Sequence, residues 1–120
     1  MAAPIAHIYL ALKMLAGPLA GVDEHAFLVG TSFPDIRYVA HLARETTHKP
    51  GVAWCDVVNE PDPFVAGMLF HALVDDVRAA FFKKQSRFVW QQFDNPMSFA
   101  VKTAEDMVLL PCVDMRGLSA

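Results

Sequence analysis

His71 and Asp75 lie in the stretch "GMLFHALVDD", four residues apart. On a helix, side chains at that spacing leave the same face one turn apart. A neutral imidazole nitrogen and a carboxylate oxygen are both good zinc ligands, and a helix delivers H-x-x-x-D from a rigid backbone. Phe64, Gly67 and Met68 fall on the same face. With no side chain at Gly67, another helix or an ion can come close. A buried histidine paired with an aspartate, beside a glycine at a helix crossing, accounts for the same spacing, which is common on helices.

Other residues of the same chemical types have structural readings of their own. Asp35 follows Pro34 at the expected start of a helix, where the dipole favours a carboxylate by about 0.3–1 kcal/mol. His48 stands between Thr47 and Lys49 and reads as a solvated loop histidine. His7 sits in an apolar helix, where an unpaired buried ring costs about 1–3 kcal/mol, so it needs a partner; a metal or Asp75 would serve. Arg78, seven residues after His71, reads as a helix-surface salt bridge with Asp75 or as a phosphate clamp. His25 and His41 read as surface or cap residues.

The elements that must position these groups are punctuated by proline and glycine. Pro4 suits a first helical turn, and a helix running to about Ala16 ends at "GPLAG". Asp23 can cap "EHAFLVGTS". Pro34 is expected to break that helix, with "DIRYVAHLAR" a third helix and "ETTHKPG" a loop. "VAWCDVVNE" fits a short helix or an irregular segment. Asp62 as N-cap and Pro63 at the first position open the strongest element, "PFVAGMLFHALVDDVRAAFFKKQ". "SRFVWQQFD" reads as helical, and "NPMSFAVKTAEDMVLL" as a last helix stopped by Pro111. No segment alternates like a strand. The expectation is an all-α fold, a compact bundle of five to seven helices in a single domain, residues 1–120.

The chain has 120 residues, 54% hydrophobic and 19% charged, more apolar than an average soluble domain. Helices buried on most sides, or a surface covered by a partner such as a second copy in a homodimer, would explain this. The net charge of −3 implies no bulk attraction to nucleic acid or anionic membrane. Trp54, Trp90 and the phenylalanines read as core, with no basic patch beside them. Cys55 and Cys112 read as isolated thiols, one of them buried, in a reducing compartment. The apolar N-terminal stretch is interrupted by Lys13, lacks a basic leader and is too short to span a bilayer, so it reads as a buried helix of a cytoplasmic protein.

Taken in order, A-H near the N-terminus, G-x-x-x-P-D at 30–35, T-H at 47–48 and G-x-x-x-H-x-x-x-D at 67–75 resemble the zinc-dependent phospholipase C superfamily, which also contains zinc-dependent single-strand nucleases. The resemblance spans His7 to Asp75. It implies Asp35, His48 and His71 as ligands of one zinc, Asp75 as a carboxylate bridging to a second, and His7 as a ligand of that second ion. The N-terminal amine, on Met1 or Ala2, would complete it. The family's downstream histidines, which hold a third zinc, have no counterpart after His71. Either this is a reduced member or the chain is a piece of a longer one.

The resulting expectation is a phosphoester hydrolase with one or two zinc ions. The cations would polarise a phosphoryl oxygen and activate water, Asp35 or Asp75 would orient that water, and Arg78 would hold a small phosphoester or phospholipid. A helical interaction module with a structural or vestigial metal site is the alternative. HD-type phosphohydrolases are set aside because no adjacent His-Asp pair occurs.

Overall fold

In the computed structural model, residues 4–85 and 104–112 are described. Five α-helices run in order: α1 (Pro4–Leu15), α2 (Glu24–Ser32), α3 (Arg44–Thr47), α4 (Trp54–Asn59) and α5 (Pro63–Gln85). Residues 104–109 are also helical. A 3-10 helix, Phe33–Ala40, joins α2 to α3, and a short one at Leu110–Cys112 follows the last helical segment. No strand occurs among the described residues, as expected of an all-α bundle. "SRFVWQQFD" and the first half of the expected last helix lie outside the described residues.

Two helix starts follow directly from their capping residues. The Asp62 carboxylate accepts the Phe64 N–H at 2.9 Å and the Val65 N–H at 3.5 Å, with Pro63 occupying the position whose N–H is not needed. The Asp23 carboxylate accepts the Ala26 N–H at 3.1 Å. The ambiguous "VAWCDVVNE" is helical over α4, where the Asp56 carboxylate accepts the Ala53 N–H at 2.8 Å.

Two expectations are corrected between α2 and α4, the α-helix at "DIRYVAHLAR" and the loop at "ETTHKPG". Helix α2 covers "EHAFLVGTS" and ends two residues before Pro34, as expected, but the chain does not turn extended there. Phe33 remains in the right-handed helical region (φ −59°, ψ −42°) and its N–H reaches the Val29 carbonyl. The backbone then tightens into 3-10 geometry, so "DIRYVAHLAR" is not a separate α-helix. It stops at His41, which takes a left-handed conformation at φ 56°. Asp35 lies in the first turn of this 3-10 helix, near the helix start expected of it. The "ETTHKPG" loop, in turn, contains the short helix α3.

The core gathers Ala6, Ile8 and Ala11 of α1, Phe27 and Leu28 of α2, Val57 of α4 and Ala66, Phe70 and Val74 of α5. The Phe27 and Phe70 rings meet at 5.5 Å between centroids. The crossing of α2 over α5 is set by two glycines. A methyl group built on Gly30 would lie 2.0 Å from the Phe64 carbonyl oxygen, and one on Gly67 would lie 2.2 Å from that of Phe27. Backbone meets backbone there, which no residue with a β-carbon allows. Of the two roles open to Gly67, the structure gives it the helix crossing. Among the described residues no helix is long and apolar enough to cross a membrane.

Candidate metal centre

The glycine crossing carries α2 close enough to α5 to fix a histidine. His71 Nδ1 lies 2.7 Å from the Thr31 carbonyl oxygen. A carbonyl only accepts, so Nδ1 carries a proton, and whenever the ring is neutral Nε2 is a bare lone pair. The Thr31 hydroxyl in turn donates to the Gly67 carbonyl at 3.2 Å. The His71 ring is completely buried, and its Nε2 has no hydrogen-bond partner. It faces Asp75 Oδ2 at 3.4 Å and Asp35 Oδ1 at 3.7 Å.

His48 is brought to the same point by α3. Its backbone N–H closes that helix onto the Arg44 carbonyl at 2.9 Å. The Thr47 hydroxyl lies 3.3 Å from the Arg44 carbonyl and 3.0 Å from His48 Nδ1. A hydroxyl has one proton, so both contacts form together when it donates to the carbonyl and accepts Nδ1–H. His48 Nε2 is then a second lone pair, 3.6 Å from Asp75 Oδ2. Reading His48 as a solvated loop residue is thereby corrected: only 7% of its side chain is exposed.

His7 enters from α1. Its Nε2 lies 3.0 Å from Asp75 Oδ1, which answers the need for a partner inferred from its apolar surroundings. The His7 and His71 rings stack, 3.7 Å between centroids and 9° from parallel. The His48 and His71 rings stand edge to face at 84°.

The structure thus brings together all five residues picked out by the motif order. They form two trios that could hold a metal ion, His7–Asp35–His71 and His48–His71–Asp75. Tetrahedral coordination at about 2.0–2.2 Å separates neighbouring ligand atoms by roughly 3.3–3.6 Å. The two contacts of Asp75 Oδ2, at 3.4 and 3.6 Å, fall in that range. The Nε2 atoms of His48 and His71 are buried without a hydrogen-bond partner and face carboxylate oxygens, an arrangement that a divalent cation would bridge.

Burial pushes the pKa of His7 below its usual value, although its bond to Asp75 works the other way. Burial lowers that of His48 too, aided by the nearby Arg44 charge. Neutral rings are the metal-binding form. A lowered folded-state pKa means that the unfolded chain binds more protons below pH 6.5, so stability falls as pH falls through that value. The metal-free protein is therefore expected to lose denaturant resistance between pH 7 and pH 5.5. Urea titrations at several pH values check this; a midpoint that rises as pH falls would contradict neutral buried rings.

Sequence reasoning missed the groups around the cluster. Thr31 acts through its backbone, which no motif reveals. Thr47 was visible only as the residue before His48. Residues 104–109 return to the site: Asp106 Oδ1 accepts the Ile5 N–H at 3.1 Å and so caps α1 from across the chain. Burial raises the Asp106 pKa, against the pull of the Ile5 and Ala6 N–H groups. Arg78 forms an ion pair with Glu105 of the same segment, so its pairing extends beyond its own helix. His25 and His41 are exposed, as expected. Cys55 is exposed and free, while the Cys112 side chain and the N-terminal amine fall outside the described groups. An apolar cavity of about 400 Å³ lies between α1 and α5, lined by Leu10, Met14, Phe70, Val74 and Phe81 and bordered by Arg78 and Glu105.

The fold and the cluster define an all-α bundle with buried histidine and aspartate groups able to hold a metal ion. No family model matches the chain, and no curated protein or solved structure matches it either.

Proposed function

We propose that this protein is a divalent-metal-dependent phosphoester hydrolase, with zinc as the metal, of the kind its motif order resembles. The observation that carries the reading is His71: its Nδ1 proton is committed to the Thr31 carbonyl, and its bare Nε2 faces two carboxylates. Asp35, His48, His71, Asp75 and His7 are the candidate groups that hold the one or two ions. A bound divalent cation supplies Lewis acidity, drawing charge from a phosphoryl oxygen. Asp35 has the more exposed of the two carboxylates, 18% against 8% for Asp75, which supports it as the group that would take a proton from a water. Asp75 holds the histidines in register from the long helix. The substrate in this reading is a small phosphoester or a phospholipid; the apolar cavity bordered by Arg78 would suit an acyl chain, although none of the five cluster residues lines it.

A second reading, a helical interaction module with a structural metal, is favoured by Arg78. Its guanidinium already pairs with Glu105 and has a carboxylate to exchange before it meets a phosphate. The exposed Val77, Phe81, Met107 and Val108 support self-association of such a module. A cytoplasmic setting suits the free Cys55 thiol under either reading.

The test is hydrolysis of an activated phosphodiester by zinc-loaded protein. Turnover is expected to require metal and to fall about a hundredfold or more in Asp75→Asn, with His25→Ala unchanged as control. Zinc-loaded protein inert towards lipid, nucleotide and simple diesters would leave the module as the function.

A further inference from the structure

We infer that the cluster holds a single ion, bound by His48, His71 and Asp75 with Asp35 beside them, and that His7 is a positioning residue rather than a ligand. The inference rests on the metal-binding part of the proposed function, not on the hydrolysis.

Ring orientation decides the matter. An imidazole binds a metal through a lone pair in its own plane. Two imidazoles share an ion only when their planes let those lone pairs converge. The His7 and His71 rings are stacked, 9° from parallel with centroids 3.7 Å apart. An ion in the plane of His71 stands off the plane of His7 by nearly the ring separation, against a bond of about 2.0–2.1 Å. The trio His7–Asp35–His71 therefore cannot close on one ion through both of its histidines. The His48 and His71 rings, at 84°, meet no such obstacle, and Asp75 Oδ2 lies 3.6 and 3.4 Å from their Nε2 atoms. Asp35 Oδ1, 3.7 Å from His71 Nε2, is a further carboxylate at the same atom.

A second ion sharing Asp75 with the first would have to use His7 Nε2, and that atom is engaged; His7 Nδ1 is buried without a hydrogen-bond partner, and an ion there is what a count of two equivalents would reveal. The Nε2 atom lies 3.0 Å from Asp75 Oδ1, the oxygen opposite the one that faces His48 and His71. A neutral His7 donating Nε2–H to this carboxylate fixes its rotation and turns Oδ2 towards the ion. It also leaves Asp75 its full negative charge. Groups that hold a ligand in this way change metal affinity without touching the metal, typically by about 10–100-fold. The His7 plane stacked on His71 limits movement of that ring as well.

The experiment is metal counting and affinity on the untagged full chain, with zinc and with cobalt(II) as a spectroscopic probe. Wild type is expected to bind one equivalent. His7→Gln keeps an N–H donor near the Nε2 position but offers no imidazole. It should also bind one equivalent, with affinity within a few-fold of wild type and the same cobalt d–d spectrum. His7→Ala should weaken binding about 10–100-fold while retaining a stoichiometry of one. Two equivalents in wild type falling to one in His7→Gln would overturn the inference, and so would an altered cobalt spectrum in that variant. Either result would leave the proposed function standing. One equivalent without phosphoester turnover would support the inference and remove the hydrolase. Should a His7 variant fail to fold by circular dichroism, the wild-type stoichiometry alone still decides between one ion and two.

Discussion

Gly67→Ala is expected to destabilise the protein by about 3 kcal/mol or more, at or above the upper end for overpacking. The added methyl would sit 2.2 Å from the Phe27 carbonyl oxygen and 2.7 Å from the Thr31 nitrogen. Both neighbours are backbone, so neither can rotate away. Relief requires α2 to lift off α5, and that movement separates the Phe27 and Phe70 rings. It also draws the Thr31 carbonyl away from His71 Nδ1, so one methyl acts on both the core and the cluster. Gly30→Ala meets the reverse face of the same crossing, 2.0 Å from the Phe64 carbonyl, and should cost a similar amount. Urea unfolding measures the loss, and the His71 Nδ1–H signal in proton NMR reports the broken hydrogen bond. A variant within about 1 kcal/mol of wild type and with that signal intact would show that the helices are not in backbone contact.

The parts of the fold readable in the sequence were those with local causes. Asp62 and Pro63 predict the start of α5 because capping involves only the next three residues. The apolar composition and the absence of alternation predict an all-helical chain for similarly local reasons. Pro34 marked the end of α2 where expected, but its local preference for an extended predecessor was overridden. Phe33 packs against Phe64, with ring centroids 5.5 Å apart, and Pro34 itself is buried, so tertiary packing holds the helical conformation. The cluster was half legible. The i, i+4 spacing gave His71 and Asp75 a common face, but periodicity cannot say what stands opposite a face. The arrival of His48 depends on a 3-10 segment, a left-handed His41 and a four-residue helix, none with a clear signature. The hydrogen bond that fixes the His71 tautomer comes from a peptide carbonyl, which every residue possesses and no residue type advertises. The roles of Asp106 and Glu105 depend on contacts across 101 and 27 residues of chain, beyond the reach of any local pattern.

Zinc is expected to raise the melting temperature of the chelator-treated protein by on the order of 15 °C, and Asp75→Asn to abolish that rise. Metal at a thousandfold excess over its dissociation constant contributes about 4 kcal/mol, and each kilocalorie moves the midpoint of a domain this size by roughly 4 °C. Asp75→Asn removes the carboxylate through which His48 and His71 meet, so the response is lost. The stability of the variant without metal separates two explanations of the cluster. Suppose His71 were simply protonated and paired with Asp75 at 3.4 Å. Replacing Asp75 would then strand a buried charge, at a cost of about 3–5 kcal/mol. In the metal-site account His71 Nε2 is a bare lone pair facing that carboxylate. An asparagine amide there can donate to Nε2 while its oxygen still accepts from His7, so metal-free Asp75→Asn should lie within about 1 kcal/mol of metal-free wild type. Thermal and urea unfolding with chelator and with zinc, on both proteins, yield the four midpoints required. A variant badly destabilised without metal, and a wild type indifferent to zinc, would together make the cluster a buried ion pair rather than a metal site.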